Sequence, residues 1–287
     1  MSTRTPRVAG AFYPGSAAEI RQQVTQYRQQ IDLNIPTPVY GAIVPHAGWA
    51  FSGLTAAHAF AALTQQEAPN TFVLFGAVHA PGVHGPSLYA SGSWRTPLGS
   101  IEVDGELADA ILAQGEPFVD RPAAHADEHS LEVQVPFIQV LFPQAKILPI
   151  AVPPAEAAPA WGSAVAQVVL EKGRSAVALG SSDLTHYGPR YGLAPAGLGE
   201  KGKTWAEEND ARLLDLLTEL RTDQVVDMAL ERHNACGPGA IAAAMGFAEE
   251  MGATRGRLLH YVTSHDVMPM GEPADLVGYA AVAFLRG

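Results

Sequence analysis

The sequence predicts an α/β fold in which one sheet lies between two layers of helices. Short, continuous apolar runs such as residues 39–44 and 71–76 alternate with longer segments of helical periodicity, an order typical of α/β proteins. Because these runs carry no polar alternation, they indicate strands that are buried on both faces. No internal repeat or long linker divides the chain, so we expect a single three-layer α/β/α domain over residues 1–287.

Capping and breaking residues set the predicted boundaries in the first third of the chain. Residues 8–13 form a short apolar run that indicates an extended segment ending in a turn. Ser16 and Glu19 have the spacing of a capping box, which predicts a helix up to the NIPTP turn. Pro45 has no amide hydrogen to continue a strand ladder, so the apolar strand before it ends there. We expect Ser52 to cap the helix that follows.

The same signals place the remaining elements. Residues 92–103 contain TPLG and predict a hairpin or loop, after which Asp104 caps a helix. Pro136 should kink or shorten the helix of HADEHSLEVQVPFIQVLFP. Residues 189–202 are rich in glycine and proline and predict a loop. The predicted strands are 39–44, 71–76, 146–152, 175–180, 257–264 and 276–285; further helices are predicted over 54–63, 104–114, 160–171, 204–220, 222–233 and from NACGPGA to 251.

Composition and charge exclude several classes of function. The net charge is −11 and no cluster of Lys or Arg is present, so we expect no nucleic-acid partner. The run 276–285 is too short to cross a bilayer, and the N-terminus lacks the apolar core of a signal peptide. Cys236 is the single cysteine, which excludes an internal disulfide. We therefore expect a cytoplasmic protein that does not bind membranes.

Ionisable side chains follow three of the predicted strands. His46 follows the first strand, His79 the second, and Asp183 and His186 the fourth. Because ligands of open α/β sheets bind outside the carboxyl ends of the strands, we expect these side chains at one rim of the sheet. Cys236 precedes a predicted helix, whose N-terminus would lower the thiol pKa. Two imidazoles and a thiolate would form a site for Fe, Zn or Cu.

Each of these residues also has a purely structural interpretation. His46 could bond the turn after its strand, Cys236 could be a small buried hydrophobe, and Asp183 could cap a helix. Glu128 and His129 open a predicted helix, where the helix dipole favours an acidic residue whatever its function. Five other histidines are interpreted as structural or surface residues: His58, His125, His233, His260 and His265.

Several long motifs resemble the Memo family. They are VAGAFYPG, PHAGWAFSGLTAAHAF, TPLGSIEVD, EHSLEVQVPFIQ, SSDLTHYGPRYG, the CGPGAI segment, and the closing LLHYVTSHD and VGYAAVAF. Together they cover nearly the whole chain in the family's order. That family resembles class III extradiol ring-cleavage dioxygenases in fold, and those enzymes hold Fe(II) with two His and one carboxylate. The resemblance implies the same three-layer fold for this chain.

The resemblance also implies a set of site residues. In Memo-like proteins the corresponding cluster is two His and one Cys, which places the metal ligands on His46, His79 and Cys236 and the acid/base or supporting positions on Asp183 and His186. The family's loop GPSHH reads GAVHA here, so its proline and its second histidine are both missing. Against the dioxygenases, an oxidisable thiolate replaces a carboxylate, and dioxygenase activity does not follow from the fold alone.

Three functions are compatible with this sequence. The first is a metal-dependent redox enzyme with Fe(II) as the expected metal and copper or zinc as alternatives; His186, oriented by Asp183, would be its general acid/base on a small polar or phenolic substrate. The second is a binding module whose pocket captures a peptide or partner protein. Relatives bind phosphorylated peptides and bacterial relatives are linked to a radical-SAM protein, although no Arg cluster stands ready for phosphate here. The third is a metallohydrolase. The sequence leaves the oligomeric state open, and a homodimer is one possibility.

Overall fold

The computed structural model describes residues 2–35, 37–79 and 81–287. Among these residues, one sheet of nine strands forms the centre, and helices cover both of its faces. The predicted α/β class with three layers is therefore confirmed.

The bounds of the elements follow from the backbone hydrogen bonds of the described residues. The helices are α1 (Ala17–Gln29), α2 (Trp49–Leu63), α3 (Gly105–Leu112), α4 (Val135–Leu141), α5 (Ala158–Glu171), α6 (Glu200–Thr218), α7 (Val225–Arg232), α8 (Pro238–Met251) and α9 (Ser264–Val267). The strands are β1 (Thr3–Arg4), β2 (Val39–Val44), β3 (Thr71–Gly76), β4 (Ser87–Leu88), β5 (Ser93–Thr96), β6 (Gly99–Glu102), β7 (Val119–Asp120), β8 (Lys146–Ala151), β9 (Ala176–Ser181), β10 (His186–Tyr187), β11 (Arg255–Thr263) and β12 (Leu276–Leu285). In the part of the chain described here, no helix has both the length and the apolar character needed to cross a bilayer.

The strand order of the large sheet places four parallel strands side by side. The order is β10-β12-β2-β9-β3-β8-β4-β7, and β11 pairs with β12 outside this path. Strands β2, β9, β3 and β8 are parallel, so their carboxyl ends lie at one edge of the sheet. A separate small sheet, β1-β5-β6, carries the predicted hairpin as β5 and β6.

Alternate residues of the central strands pack on opposite helical layers. In β3, Val73 and Phe75 pack with α3 and α5 to α8, while Phe72 and Leu74 pack with α1, α2 and α4. Successive side chains of a strand point to opposite faces, so a strand covered on both faces is apolar at every position. This explains the continuous apolar runs in the sequence.

Helix α2 begins earlier than its predicted cap. Its first residue is Trp49 with Gly48 as N-cap, so the prediction that Ser52 caps this helix is wrong. The Ser52 hydroxyl lies within the helix and donates to the Ala47 carbonyl at 2.9 Å. The ring centroids of Trp49 and Phe137 lie 4.2 Å apart, and this buried contact stabilises a helix that already begins at Trp49.

Two other boundaries show how proline and glycine act here. A 3-10 turn over Glu132–Gln134 precedes α4, and Pro136 lies in the first turn of α4, where its missing amide hydrogen costs nothing. The predicted shortening of this helix is confirmed. Helix α6 begins at Glu200, inside the segment predicted as a loop, because Gly199 at φ +75° ends the loop there.

Candidate metal centre

The carboxyl ends of β2, β3 and β9 meet beside the start of α8. His46 follows β2, His79 follows β3, Asp183 follows β9, and Cys236 stands two residues before α8. One ligand atom from each of His46, His79 and Cys236 lies within 4.8 Å of the other two. The structure thus brings these three predicted ligands together from distant segments. The parallel order of β2, β9 and β3 places the two histidines at one edge of the sheet.

The hydrogen bonds of His46 fix its tautomer. The Ser181 hydroxyl donates its only hydrogen to the Ser130 carbonyl at 2.7 Å, so its oxygen must accept from Nδ1 of His46 at 3.2 Å. Nδ1 therefore carries the hydrogen and Nε2 keeps a lone pair, which faces Sγ of Cys236 at 3.1 Å. Burial, and then the neighbouring His79, lower the pKa of His46 to about 3. The imidazole is neutral near pH 7, the form that binds metal.

A carboxylate from another segment orients His79. Nδ1 of His79 lies 2.9 Å from Oε1 of Glu128, and the backbone N–H of His79 donates to Oε2 at 3.0 Å. Burial alone would raise the pKa of Glu128, but the hydrogen bond and the charge of His79 outweigh it and hold that pKa at about 2. The ionised carboxylate only accepts, so Nδ1 carries the hydrogen and Nε2 is left for a metal.

Glu128 is a residue whose role the sequence interpretation missed. The expectation that it opens a helix is wrong, because the segment after Ala126 has no regular structure until Glu132. Its carboxylate also accepts from the N–H of Ser130 at 2.9 Å, so three N–H groups hold it. The side chain of His79 is 41% exposed, and this contact fixes its loop where the family's proline is replaced by Ala77.

The position of the family's second histidine is Ala80, which lies outside the described residues. The Ala77 side chain itself is fully buried and lies close to Gly237, where an added Cβ would stand 3.2 Å from Ala77 Cβ. The amino end of the GAVHA loop is therefore packed against the segment that carries the cysteine.

The environment of Cys236 differs from the expected one. Burial of the sulfur, and then the charge of the Asp183 carboxylate, raise the pKa of the thiol, so the predicted lowering by the helix N-terminus is wrong. The backbone N–H of Asp183 points at Sγ at 3.3 Å, and the N–H of Cys236 donates to the Asp183 carbonyl at 3.2 Å. The protonated thiol can donate to Nε2 of His46, and a cation held there would take the place of that proton.

Asp183 and His186 do not form the predicted orienting pair. Oδ1 of Asp183 accepts from the backbone N–H of His46 at 2.7 Å and of Ala47 at 3.2 Å, which fixes the turn after β2. His186 instead bonds the Leu184 carbonyl through Nδ1 at 3.2 Å. The reason is that the Asp183 carboxylate points back toward β2, while His186 opens β10 and pairs with β12.

His129 joins the cluster as a third imidazole. Its ring stacks on His79 with centroids 4.8 Å apart and meets His46 edge-on at 5.4 Å. Burial, and then His46, lower the pKa of His129 to about 4, so it is neutral near pH 7. His79, Glu128 and His129 form a second group with ligand atoms within 4.8 Å. Because three N–H groups already hold the Glu128 carboxylate, we interpret this group as support for His79. In the sequence, only the EHS of a family motif pointed to Glu128 and His129.

A cavity of about 520 Å³ opens beside the cluster. Cys236 and His186 are among its lining residues, and its walls are mostly apolar: Pro154, Tyr191, Leu193, Ala229, Leu230 and Pro238. The size and the apolar walls with a few polar groups are those of a small-molecule site. No Lys or Arg lies among the described lining residues.

Comparison with known proteins places this chain in a family. The model of the Memo-like protein family matches residues 4–283. A MEMO1 family protein of Methanopyrus kandleri is 35% identical over 297 residues, covering 99% of both chains. One from Methanosarcina acetivorans is 38% identical over 288 residues, covering 98% of this chain and 99% of its own. The chain therefore belongs to the Memo-like family, as its motifs indicated.

Proposed function

We propose that this protein is a metal-dependent redox enzyme that holds Fe(II) through His46, His79 and Cys236. The observation that carries the proposal is the fixed tautomer of both imidazoles: each uses Nδ1–H on an acceptor and presents Nε2 to the cluster. Such pre-orientation by a second partner is typical of metal-bound histidines. Two imidazoles and a thiol suit iron, with copper and zinc as alternatives.

The metal would supply electron transfer and open positions for a small molecule, and the protein's own residues would hold and protonate that molecule. Nδ1 of His186 is occupied by the Leu184 carbonyl, so Nε2 is the nitrogen left to exchange a proton with a ligand in the cavity. Asp183 would act by fixing the backbone of His46 and not by orienting His186.

The cavity favours a compact ligand with an apolar body and a polar group. Its walls are mostly apolar, and His186 and His233 supply hydrogen-bonding groups. With no cation among the described lining residues, a phosphorylated ligand would have no charge partner there. This supports a small polar or phenolic substrate over capture of a phosphorylated peptide.

The experiment that tests the proposal is metal analysis by mass spectrometry of protein purified without oxygen. The wild type is compared with Cys236→Ser and with His84→Ala, a matched control because His84 lies exposed in the same loop as His79. We expect near-stoichiometric iron in the wild type and in His84→Ala, and its loss in Cys236→Ser. The same iron content in a variant lacking all three ligands would contradict the proposal. Zinc-dependent hydrolysis that persists without oxygen would favour the metallohydrolase instead.

A further inference from the structure

One residue of α6 bonds two separate segments that deliver groups to the metal centre. Asn209 is fully buried, and its side-chain amide donates to Thr185 Oγ1 at 3.0 Å and to the Arg232 carbonyl at 3.0 Å. Thr185 lies between Asp183 and His186, in the loop after β9. Arg232 is the last residue of α7, from which the chain leads to the cysteine.

The main-chain carbonyl of Asn209 forms a further hydrogen bond with the segment that leads to the cysteine. The side-chain amide of Asn234, also fully buried, donates to the Asn209 carbonyl at 2.9 Å. Asn234 stands two residues before Cys236, just after the left-handed His233 at φ +53°. Asn209 thus holds the approach to the cysteine at two points, one on each side of a sharp turn.

The next residue, Asp210, holds the first segment a second time. Its Oδ1 accepts from the backbone N–H of Thr185 at 2.8 Å, and its Oδ2 accepts from the Tyr261 hydroxyl at 2.8 Å. The Asp210 carboxylate packs directly against Gly278, where an added Cβ would collide with it. Four hydrogen bonds, three of them buried, therefore tie α6 to Thr185, Arg232 and Asn234.

The two segments also contact each other directly. The N–H of Gly237 donates to Ser182 Oγ at 2.9 Å, and two longer contacts involve the cysteine itself. The N–H of Cys236 lies 3.2 Å from the Asp183 carbonyl, and the N–H of Asp183 lies 3.3 Å from Sγ. The thiol would exchange its proton for a metal, and its contacts then change. The bonds from α6 do not involve the sulfur, so they can keep the two segments in register in either state.

We propose that Asn209 is a positioning residue of the metal centre, which sets the position of Cys236 relative to the loop of Asp183 and His186. This inference rests on the proposed metal site. Helix α6 supplies none of the three ligands. Through Asn209 it would nevertheless fix the position of the Cys236 sulfur. An apolar residue of similar size at this position would fill the space without making the bonds.

The test uses Co(II) as the probe, because thiolate coordination gives a charge-transfer absorption that reports the sulfur directly. Asn209→Leu removes both side-chain donors, and Thr185→Val removes one acceptor with little change of shape. Leu213→Ala is the matched control, since Leu213 is fully buried one turn further along the same helix. Circular dichroism and thermal unfolding establish which variants are folded.

We expect Asn209→Leu to weaken Co(II) binding by about 10- to 100-fold, the range seen when partners that orient ligands are lost. Its charge-transfer band should be weaker at saturation, and Thr185→Val should show a smaller loss of the same kind. Leu213→Ala should lower the unfolding temperature and leave the affinity and the band unchanged. If Asn209→Leu does not fold, the Co(II) affinity and band intensity of Thr185→Val provide the test.

Two results would overturn the inference, and they are distinguishable. Wild-type affinity and band intensity in folded Asn209→Leu, or in Thr185→Val, would contradict the role of Asn209 and leave the metal centre intact. A wild-type protein whose Co(II) spectrum does not depend on Cys236 would contradict the metal centre itself and the inference with it.

Discussion

The Sγ atom of Cys236 lies 3.1 Å from Nε2 of His46, although 190 residues separate the two in the chain. The imidazole presents a lone pair because Ser181 occupies its other nitrogen. The thiol keeps its proton because burial and the Asp183 carboxylate raise its pKa. A neutral donor pair of this kind is prepared for a cation that displaces one proton.

Metal binding near pH 7 should therefore release about one proton from Cys236 per ion. Calorimetry of Zn(II) binding in buffers of different ionisation enthalpy measures this number. The pKa of His79 is raised, first by its hydrogen bond to Glu128, so His79 contributes to the number of protons released. This contribution is the same in the wild type and in Cys236→Ala. The difference between the wild type and Cys236→Ala isolates the thiol. An equal proton count in the two proteins would contradict the assignment of the sulfur as a ligand.

Replacing Glu128 by Gln should weaken metal binding by about 10- to 100-fold, because the amide is uncharged and keeps one acceptor oxygen where two now accept from His79 and Ser130. The neighbouring Asp127→Asn serves as control, since the side chain of Asp127 is 77% exposed and pairs with Arg7 at the surface. Competition with a chromogenic Zn(II) chelator gives both affinities. If both variants bind as tightly as the wild type, Glu128 does not orient His79.

His186→Ala should keep its full metal content and lose turnover by about 10²- to 10⁴-fold, the usual contribution of a general acid/base. Its Nδ1 bonds a backbone carbonyl and its ring lines the cavity, so removing the ring leaves the ligand residues in place. Metal analysis and turnover of a substrate found by screening are measured on the same preparation. Undiminished turnover would remove His186 from the mechanism.

The buried Asp210 should make the protein less stable as the pH rises. Burial raises its pKa to about 7, above the ordinary value of 3.8 that it has when unfolded. The folded state therefore binds this proton more tightly, and the stabilisation is complete below about pH 4 and lost as the pH rises through about 7. Thermal unfolding of the wild type and Asp210→Asn between these limits measures the effect. The variant should show a flatter pH dependence, and parallel curves would contradict it.

The strands of the sheet and the meeting of His46 with His79 could be predicted because both depend on local sequence and one topological rule. Apolar runs mark strands that are buried on both faces, and parallel strands end at a common edge. The residue after each strand is then a candidate whatever the details of packing. Cys236 was a candidate as the single cysteine before a predicted helix, but its segment has no strand to place it, so the family motifs were needed to assign it to the same cluster.

The partners of these residues could not be predicted in the same way. Glu128 reaches His79 from a stretch without regular structure, so no periodicity signals its direction. The pKa of the Cys236 thiol depends on burial and on Asp183, which outweigh the helix N-terminus that is visible in the sequence. Trp49 likewise begins α2 ahead of Ser52, and a contact with Phe137, far along the chain, stabilises this start.

X-ray absorption at the zinc edge of Zn(II)-loaded protein shows directly whether Cys236 and the histidines bind a metal. We expect one sulfur scatterer at about 2.3 Å together with imidazole nitrogens at about 2.0 to 2.1 Å. The sulfur should disappear in Cys236→Ser. A wild-type spectrum with only nitrogen and oxygen neighbours, identical to that of the variant, would contradict a centre built from His46, His79 and Cys236.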